Sequence, residues 1–481
     1  MKRSLAVSLS LMGFATALAL TACGGSSGGG SNNPPPQPLV ISNAQPPSGT
    51  EGAVYPNFTF TATGGVPPLT WSETGTLPAN MTFSPAAVLS GTPGTSGSFP
   101  ITVEVEDSTG QKAAPFDCTI QISSPPQSIN MESPRTRHTA TLLTTGNVLV
   151  AGGVEHNESI LATAELFNPA TSTFSSTGSM ATARADHTAL PLNTGNVLVA
   201  GGIDSGGNSL ASAELFDPAT GTFTSTGIMN LARTHHAATL LQSGKVLVTG
   251  GQDSNGNSFA SAEFFDPANG TFTPVSDMNV ARASHTATLL QSGEVLVAGG
   301  VDSNGNALSS AELFDPANGT FTLTGSLATA RFSHTATLLN DGTVLVAGGA
   351  DLNGLTFSSA ELFAPMDGTF TPTGSMATER VFHTATLLAD GTVRIAGGAT
   401  LTLANCGINC ITAFPVSTST TELFDPSSGS FSPAADMQSS RQGHTATLLP
   451  GNMVLVTGGV HSRIQGRQLL STVLSSAELL Q

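Results

Sequence analysis

The feature that most constrains this chain is a module that occurs seven times. In its clearest copy, residues 282–315 read RASHTATLLQSGEVLVAGGVDSNGNALSSAELFD. The histidine of this module recurs after 49 residues five times running and then after 61. A period of this size predicts a β-propeller with one module per blade. The seven copies are marked by His138, His187, His236, His285, His334, His383 and His444.

Each module predicts four short antiparallel strands. The runs HTATLL, VLVAGG, SAELF and GTFT are apolar or β-branched, and turn sequences rich in Gly, Asn, Asp and Pro separate them. The GTF-type run, however, occurs only six times, because the seventh module stops before it. A closed ring needs that outermost strand to remove an exposed edge. We therefore predict that the segment just before Met131 supplies it.

Three features of the module carry a family resemblance: the double glycine that ends the second run, the arginine shortly after a Met or Leu, and the phenylalanine of GTF. Together they resemble the kelch repeat of bacterial propellers of the galactose-oxidase-like type, over about residues 131–481. The resemblance implies a seven-bladed propeller across residues 124–481. It says little about function, because kelch propellers include both binding proteins and enzymes.

The first residues predict export. Lys2 and Arg3 precede an apolar run that ends in LTAC, and this pattern resembles a bacterial lipoprotein signal. Residues 1–22 would be removed and Cys23 lipidated, with an ordinary secretory signal or a short membrane anchor as the alternative. Residues 23–38, rich in Gly, Ser and Pro, would form a tether. The expected location is the outer membrane or the cell surface. A net charge of −17 excludes nucleic acid as a partner.

Residues 39–123 predict a small β-sandwich, so the whole chain is expected to be all-β. Alternating runs and Gly/Pro turns follow one another without a helical period. The stretch resembles the immunoglobulin-like modules of bacterial surface proteins, which usually act as spacers. Trp71, the only tryptophan, is expected in its core. Glu106 and Asp107 could ligate calcium, but a solvated turn is the preferred interpretation.

The polar residues that recur in every module are expected to be structural. Seven histidines in register could form a metal ring, but each begins the inner strand of its own blade, so we expect each to bond the backbone or a carboxylate of a neighbouring blade. The DSNGN loops resemble the start of a calcium loop but are interpreted as hairpin turns. No metal or cofactor is expected. Buried ion pairs are predicted between seven arginines and seven glutamates: Arg135, Arg184, Arg233, Arg282, Arg331, Arg380 and Arg441 with Glu165, Glu214, Glu263, Glu312, Glu361, Glu422 and Glu478.

Variation between modules locates the candidate ligand site. The turns after strands one and three are nearly identical from module to module, and they are expected on one face of the ring. The linkers between Arg and His and the loops after the double glycine vary, and they are expected together on the opposite face. The loop of blade six is longer by 12 residues and that of blade seven by seven. The first contains Cys406 and Cys410, for which a local disulfide is predicted. The alternative is that both insertions are neutral. The anion-accepting site predicted here consists of Arg137, His461, Arg463, Arg467 and Phe382.

The leading hypothesis is a lipid-anchored binding or adhesion protein of the cell envelope. Its partner would be an unidentified protein or an acidic glycan, and the chain is expected to be a monomer. The alternatives are an extracytoplasmic enzyme acting on sugars, mutarotase or oxidase-like, and a purely structural envelope protein. A copper-radical oxidase is excluded because it needs tyrosine ligands, and the only tyrosine is Tyr55, outside the propeller.

Overall fold

Short strands joined by tight turns make up the chain in the computed structural model, which describes residues 37–42, 45–123, 127–407, 410–465 and 468–481. Cys23 and Arg467 lie outside these residues. Within them the protein is all-β, and no helix has the length and apolarity needed to cross a bilayer. The chain divides into two compact units, of which the first ends at Ile122 and the second begins at Ser123.

The first unit is an immunoglobulin-like β-sandwich. A four-stranded sheet in the order β2-β9-β8-β5 faces a three-stranded sheet in the order β3-β7-β6, and β1 pairs with β4. The strands are β1 (Val40–Ile41), β2 (Gly49–Thr50), β3 (Tyr55–Thr59), β4 (Ala62–Thr63), β5 (Thr70–Gly75), β6 (Met81–Phe83), β7 (Val88–Gly91), β8 (Gly97–Glu106) and β9 (Phe116–Ser123).

Two expectations for this sandwich need correction. Its buried core aromatic residues are Tyr55 and Phe60, whereas Trp71 is only partly buried and packs against the core. Asp107 does lie in a turn, but it is buried rather than solvated, and its carboxylate accepts hydrogen bonds from the backbone N–H groups of Val66, Thr109 and Gln111. These bonds explain why Asp107 organises the turn, because they satisfy a buried carboxylate locally.

The second unit is a propeller with seven four-stranded sheets in its described residues. Blade one contains β11 (Thr139–Leu142), β12 (Val148–Ala151), β13 (Ala164–Asn168) and β14 (Thr173–Ser176). Blade two contains β15 (Thr188–Pro191), β16 (Val197–Ala200), β17 (Ser212–Asp217) and β18 (Thr222–Ile228). Blade three contains β19 (Ala237–Leu240), β20 (Val246–Thr249), β21 (Ala262–Asp266) and β22 (Thr271–Pro274). Blade four contains β23 (Thr286–Leu289), β24 (Val295–Ala298), β25 (Ala311–Asp315) and β26 (Thr320–Leu323). Blade five contains β27 (Thr335–Leu338), β28 (Val344–Ala347), β29 (Ala360–Ala364) and β30 (Thr369–Pro372).

The last two blades carry the insertions. Blade six contains β31 (Thr384–Leu387), β32 (Val393–Ala396), β35 (Thr421–Asp425) and β36 (Ser430–Ala434), with the hairpin β33 (Ala399–Gly407) and β34 (Cys410–Ser417) inserted. Blade seven contains β37 (Thr445–Leu449), β38 (Met453–Thr457) and β41 (Ser476–Leu480), with the hairpin β39 (Val460–Gln465) and β40 (Gln468–Val473) inserted.

The hydrophobic core of the propeller lies between blades rather than at the centre of the ring. Each cluster joins two neighbouring blades; for example, Leu143 and Leu149 of blade one pack with Val197, Val199 and Phe216 of blade two. The second strands, mostly VLVA, are buried along their whole length because a neighbouring blade covers each face. Since one cluster joins blade six to blade seven and another joins blade seven to blade one, each blade depends on both neighbours for burial.

The predicted closure of the ring is confirmed. The strand β10 (Gln127–Asn130) pairs antiparallel with β41, so that Ile129 lies opposite Ala477 and Asn130 opposite Ser476. Blade seven therefore has the order β10-β41-β38-β37, with its outer strand taken from the start of the unit. The inner strands also form a closed circle, because β37 contacts both β31 and β11.

The predicted Arg–Glu pairs are confirmed in all seven blades, with Nη2 to Oε1 distances between 2.5 and 3.0 Å. In blade four, the buried Arg282 also donates from Nη1 to the carbonyls of Gly299 and Ser310. The carboxylate of Glu312 accepts from the backbone of Asn279 and Val280, in the linker that enters the blade. Each pair therefore fixes an inter-blade linker against the middle of its own blade.

Deleting residues 124–130 should lower the melting temperature of the propeller by several degrees, because β41 loses its partner strand and the cluster around Phe167 loses Ile129. Differential scanning calorimetry measures this, and the transition of the first unit serves as an internal control. An unchanged propeller transition would contradict closure by β10.

Replacing Arg282 by Met should cost about 3–5 kcal/mol of unfolding free energy, because Glu312 is then left buried without its partner. The double variant Arg282→Met/Glu312→Leu should recover much of that loss, and Lys112→Met, at the exposed pair with Glu106, should cost about 0–1 kcal/mol. Denaturant unfolding followed by circular dichroism measures all three. Equal losses from Arg282→Met and Lys112→Met would contradict the structural role of the buried pair.

Candidate functional site at the mouth of the central channel

The double glycines bring the Arg–His linkers and the loops after strand two onto one face of the ring. Gly152 and Gly153 have φ of 64° and 100°, and a Cβ atom on them would lie 2.4 Å from the Arg184 carbonyl and 2.6 Å from the Thr136 carbonyl. Only glycine fits both requirements. The chain then pairs with the linker of its own blade through seven bridges: Thr136–Val154, Ala185–Ile203, Thr234–Gln252, Ala283–Val301, Phe332–Ala350, Val381–Ala399 and Gln442–Val460.

The seven histidines are buried at the base of this face and bond across blade boundaries. His187 Nε2 lies 3.0 Å from the hydroxyl of Thr139 in blade one, and five further blades repeat this contact with the first threonine of the preceding inner strand. Blade three has Ala237 at that position, and His285 bonds Thr249 at 2.9 Å instead. The partner is thus a threonine hydroxyl, and not the backbone or carboxylate that we expected. This hydrogen bond orients each ring without introducing a charge.

Burial lowers the pKa of all seven histidines, and the charge of the buried arginine in the same module adds to the effect. The pKa falls to about 3 for His187, His236, His334 and His444. It falls well below the ordinary value for His138, His285 and His383. These histidines are therefore neutral at physiological pH.

The residue just before each buried histidine forms a ring around the mouth of the channel, which we call the mouth ring. All seven members have φ between 49° and 59°, in the left-handed region. Five backbone N–H groups of the ring donate to the carbonyl of the preceding member; for example, Asp186 N–H donates to the Arg137 carbonyl and Gly443 N–H to the Phe382 carbonyl. In order around the channel, the mouth ring is Arg137, Asp186, His235, Ser284, Ser333, Phe382 and Gly443.

The same backbone thus presents different chemistry in each blade. The residues beneath the mouth ring are the same histidine seven times, whereas the ring itself contains a cation, an anion, a neutral imidazole, two hydroxyls, an aromatic ring and a glycine. Six members are not glycine although the conformation favours glycine. Different side chains on a repeated, rigid backbone are typical of a recognition site.

Three consecutive members of the mouth ring form a polar cluster. Arg137 Nη2 donates to Asp186 Oδ2, and the same oxygen lies 3.7 Å from His235 Nε2. The Arg137 side chain is 41 % exposed and that of Asp186 only 12 %. Burial, followed by the charge of Arg137, lowers the pKa of His235 to about 4. The cluster therefore contains one cation, one anion and one neutral imidazole at neutral pH.

The mouth ring surrounds a pocket of about 660 Å³. All seven members line it, together with buried histidines below and with Thr136, Gln442, Pro415 and Val460 at the side. Pro415 and Val460 belong to the two inserted hairpins. This volume lies within the range of small-molecule sites, and the lining combines apolar surface with a few polar groups, as such sites do.

The two inserted hairpins pack side by side, as predicted. Ser417 Oγ in β34 donates to the Ser462 carbonyl in β39 at 3.1 Å and accepts from its N–H at 2.9 Å. Ser462 Oγ in turn donates to the Pro415 carbonyl. The hairpins thus form one wall at the side of blades six and seven. The side chains of Cys406 and Cys410 lie outside the described residues, so their disulfide stays a prediction.

The structure separates the residues that we grouped as an anion site. Arg137 and Phe382 line the pocket, whereas His461 bonds Ser440 through Nδ1 at 2.7 Å and Arg463 is exposed on β39. Sequence reasoning missed Asp186, His235 and Gly443 as site residues. The signal was present, since each directly precedes a repeated histidine and differs from blade to blade.

Comparison with known proteins places this architecture. Residues 37–122 match the family model described as "Putative Ig domain", and residues 233–279 match the model of the Kelch motif. A fungal alcohol oxidase of the AA5 family, solved in complex with copper, is similar over 74 % of this chain and 75 % of its own, with 18 % identity and a TM-score of 0.58. The structure of YjhT is similar over 63 % of this chain and 99 % of its own, with 14 % identity and a TM-score of 0.49. None of the curated proteins matches this chain.

These findings define the class of the protein. It consists of an immunoglobulin-like sandwich and a seven-bladed propeller, one module of which matches the Kelch motif. At 18 % identity, the likeness to the oxidase shows the fold alone.

The buried histidines should make the propeller sensitive to acid. The unfolded chain binds protons at these positions below about pH 6.5, whereas the folded chain resists protonation down to about pH 3, so stability falls as the pH falls between these values. Each histidine contributes up to about 1.4 kcal/mol per pH unit. Denaturant unfolding at a series of pH values measures the slope.

A variant identifies the source of this slope. His285→Gln keeps a side chain that can bond the Thr249 hydroxyl but does not titrate, so the slope should fall by about one proton. If the pH dependence of the unfolding free energy of the wild-type protein corresponded to about one proton or less between about pH 6 and pH 4, it would contradict the shared burial of the seven histidines.

Proposed function

We propose that this chain is an exported, lipid-anchored binding protein that recognises its ligand at the mouth of the propeller's central channel. The observation that carries the proposal is the mouth ring. Seven positions with the same backbone conformation, and with different side chains, line one pocket. A ring needed only for packing would be expected to repeat its residues there, as the buried histidines and arginines do.

The hairpin wall supports binding on this face. Only blades six and seven carry inserted hairpins among the described residues, and both hairpins contribute to the pocket at the same side. A ligand larger than the pocket could therefore contact the wall as well as the mouth ring. This arrangement accommodates an acidic glycan or a protein segment whose end enters the pocket.

The proposed location follows from the sequence LTAC at residues 20–23 and from the Gly/Ser/Pro-rich tether after it. A lipidated Cys23 would hold the chain at a membrane, and the sandwich would act as a spacer. This part of the proposal rests on the resemblance to lipoprotein signals, because these residues lie outside those that the structure describes.

An extracytoplasmic enzyme is the second candidate, and the Asp186–His235 contact favours it. A carboxylate beside a neutral imidazole in a pocket is a pair that could move a proton on a sugar. Copper-radical chemistry does not fit this chain. The single tyrosine lies buried in the first unit, where its hydroxyl donates to the Pro47 carbonyl.

Replacing Gly443 by Phe should weaken ligand binding strongly and lower the melting temperature by a few degrees at most, because a non-glycine residue in the left-handed conformation costs about 1–2 kcal/mol. Phe382 shows that the mouth-ring backbone accepts phenylalanine at φ 56°, and a Cβ on Gly443 would lie 3.1 Å from Thr136 Oγ1, so the new ring fills the pocket after a small shift of that hydroxyl. Met366→Phe places the same side chain on an exposed turn of the opposite face and is the matched control. Binding of the full-length protein to a glycan array and to purified envelope proteins is measured first, and the variants are then compared on each hit.

Affinity should fall at least about tenfold in Gly443→Phe and stay unchanged in Met366→Phe. Equal affinity in the two variants would exclude the mouth as the binding site, as a purely structural protein requires. Turnover of a bound sugar that is lost in both Asp186→Asn and His235→Gln would favour the enzyme.

A further inference from the structure

We propose that the mouth seats a small carboxylate-bearing ligand over Gly443, with its carboxylate on Arg137 and its apolar side on Phe382. As the ligand binds, the Asp186 carboxylate gives up its ion pair with Arg137 and pairs instead with a protonated His235. This inference rests on the proposed function, since it names the ligand class of the same site.

The seat exists because one member of the mouth ring has no side chain. Gly443 lies between Phe382 and Arg137, and its backbone is held by both neighbours: its N–H donates to the Phe382 carbonyl at 3.1 Å, and its carbonyl accepts from Arg137 N–H at 3.5 Å. Thr136 Oγ1 also donates to that carbonyl at 3.1 Å. Pro415 and Val460 close the seat on the side of the hairpins. The open position thus has a cation at one end and apolar surface at the other.

Arg137 can receive an anion while Asp186 is present. A guanidinium has five N–H donors. Among the described residues, the Arg137 guanidinium donates only from Nη2, to Asp186. Since Arg137 is 41 % exposed and Asp186 only 12 %, an incoming group meets the cation first. A carboxylate can bond the remaining edge in the forked geometry that guanidinium favours. These contacts select an anionic ligand over a cationic one.

The position of Asp186 makes a second partner available to it. Its Oδ2 bonds Arg137 and lies 3.7 Å from His235 Nε2, while His235 Nδ1 lies 3.4 Å from Thr234 Oγ1. A ligand carboxylate on Arg137 would leave two anions sharing one cation in a partly desolvated pocket. A proton on His235 restores the balance, because Asp186 can then pair with the imidazolium.

The direction of the proton uptake follows from the charges around His235. In the free protein, burial and the charge of Arg137 lower the pKa of His235 to about 4. A bound anion offsets the charge of Arg137, so the pKa of His235 rises toward its ordinary value. Binding is therefore accompanied by proton uptake and tightens as the pH falls. The other titratable groups lining the pocket are Arg137, Asp186 and the buried His138, His236, His285, His334 and His444.

The test uses isothermal titration calorimetry of the full-length protein with benzoate and with neutral benzamide, at about pH 5.5 and about pH 7.5. Benzoate should bind and benzamide should not, because only benzoate carries the charge. The affinity for benzoate should be severalfold higher at the lower pH, with about tenfold as the upper limit, because burial still lowers the pKa of His235 after the bound anion offsets the charge of Arg137. Calorimetric melting at each pH verifies that the protein is folded.

Three variants separate the roles of the cluster. Arg137→Gln should lose benzoate binding at both pH values. Asp186→Asn should bind benzoate more tightly at the higher pH and lose most of the pH dependence, because Arg137 is free from the start. His235→Gln should keep the affinity of the higher pH and lose the increase at the lower one. A purely structural ion pair would leave the pH dependence the same in all variants that still bind.

The outcomes distinguish this inference from the proposed function. Equal binding of benzoate and benzamide, or an unchanged pH dependence in Asp186→Asn, would overturn the carboxylate seat. If Gly443→Phe nevertheless abolishes binding of the array hits, the mouth remains the binding site and only the ligand class is wrong. If Gly443→Phe has no effect on those hits, the proposed function fails whatever benzoate does.

Discussion

The buried Arg–Glu pair, repeated in every blade, is the interaction on which the rest of the second unit depends. Each arginine is fully buried, and breaking its pair would leave an uncompensated charge in the core. The glutamate of the pair fixes the inter-blade linker because it accepts hydrogen bonds from the backbone N–H groups of that linker. The backbone carbonyl of the arginine also accepts a hydrogen bond from the second glycine of the preceding blade; for example, Gly459 N–H donates to the Arg135 carbonyl. One residue per module thus sets the position of a linker within its blade and between blades.

A rigid linker explains why variation in the mouth ring is tolerated. The arginine fixes the chain three residues before the histidine, and the histidine is fixed by a threonine of the neighbouring blade. The residue just before the histidine therefore has little freedom in its backbone, but its side chain points to a channel that packing does not fill. Asp186, Ser284 and Phe382 adopt nearly the same φ despite their different chemistry. Stability and recognition are in this way assigned to adjacent positions of one module.

Much of the fold could be predicted from the sequence, because the repeat shows which residues every blade needs. The period predicted seven blades, the missing GTF run predicted the closing strand, and equal numbers of Arg and Glu predicted the ion pairs. The candidate site was harder, because its residues are 49 or more positions apart and meet only around the central channel. The distance between Arg137 and Asp186 depends on the curvature of the ring, which the sequence of one module does not contain. Arg463 was grouped with Arg137 because Arg463 belongs to blade seven and Arg137 to the neighbouring blade one. In the structure, however, Arg463 is exposed on β39 of the hairpin wall.

The departures from sevenfold repetition are concentrated on one side of the ring. Gly443, the two hairpins and the strand β10 all belong to blades six and seven or to their junction with blade one. A ligand over Gly443 would contact Phe382 of blade six, Gly443 of blade seven and Arg137 of blade one. It would therefore bridge the seam where the first and last parts of the propeller meet. Because a ligand that binds only the closed ring stabilises that ring by mass action, binding at this position would also strengthen the closure that β10 provides.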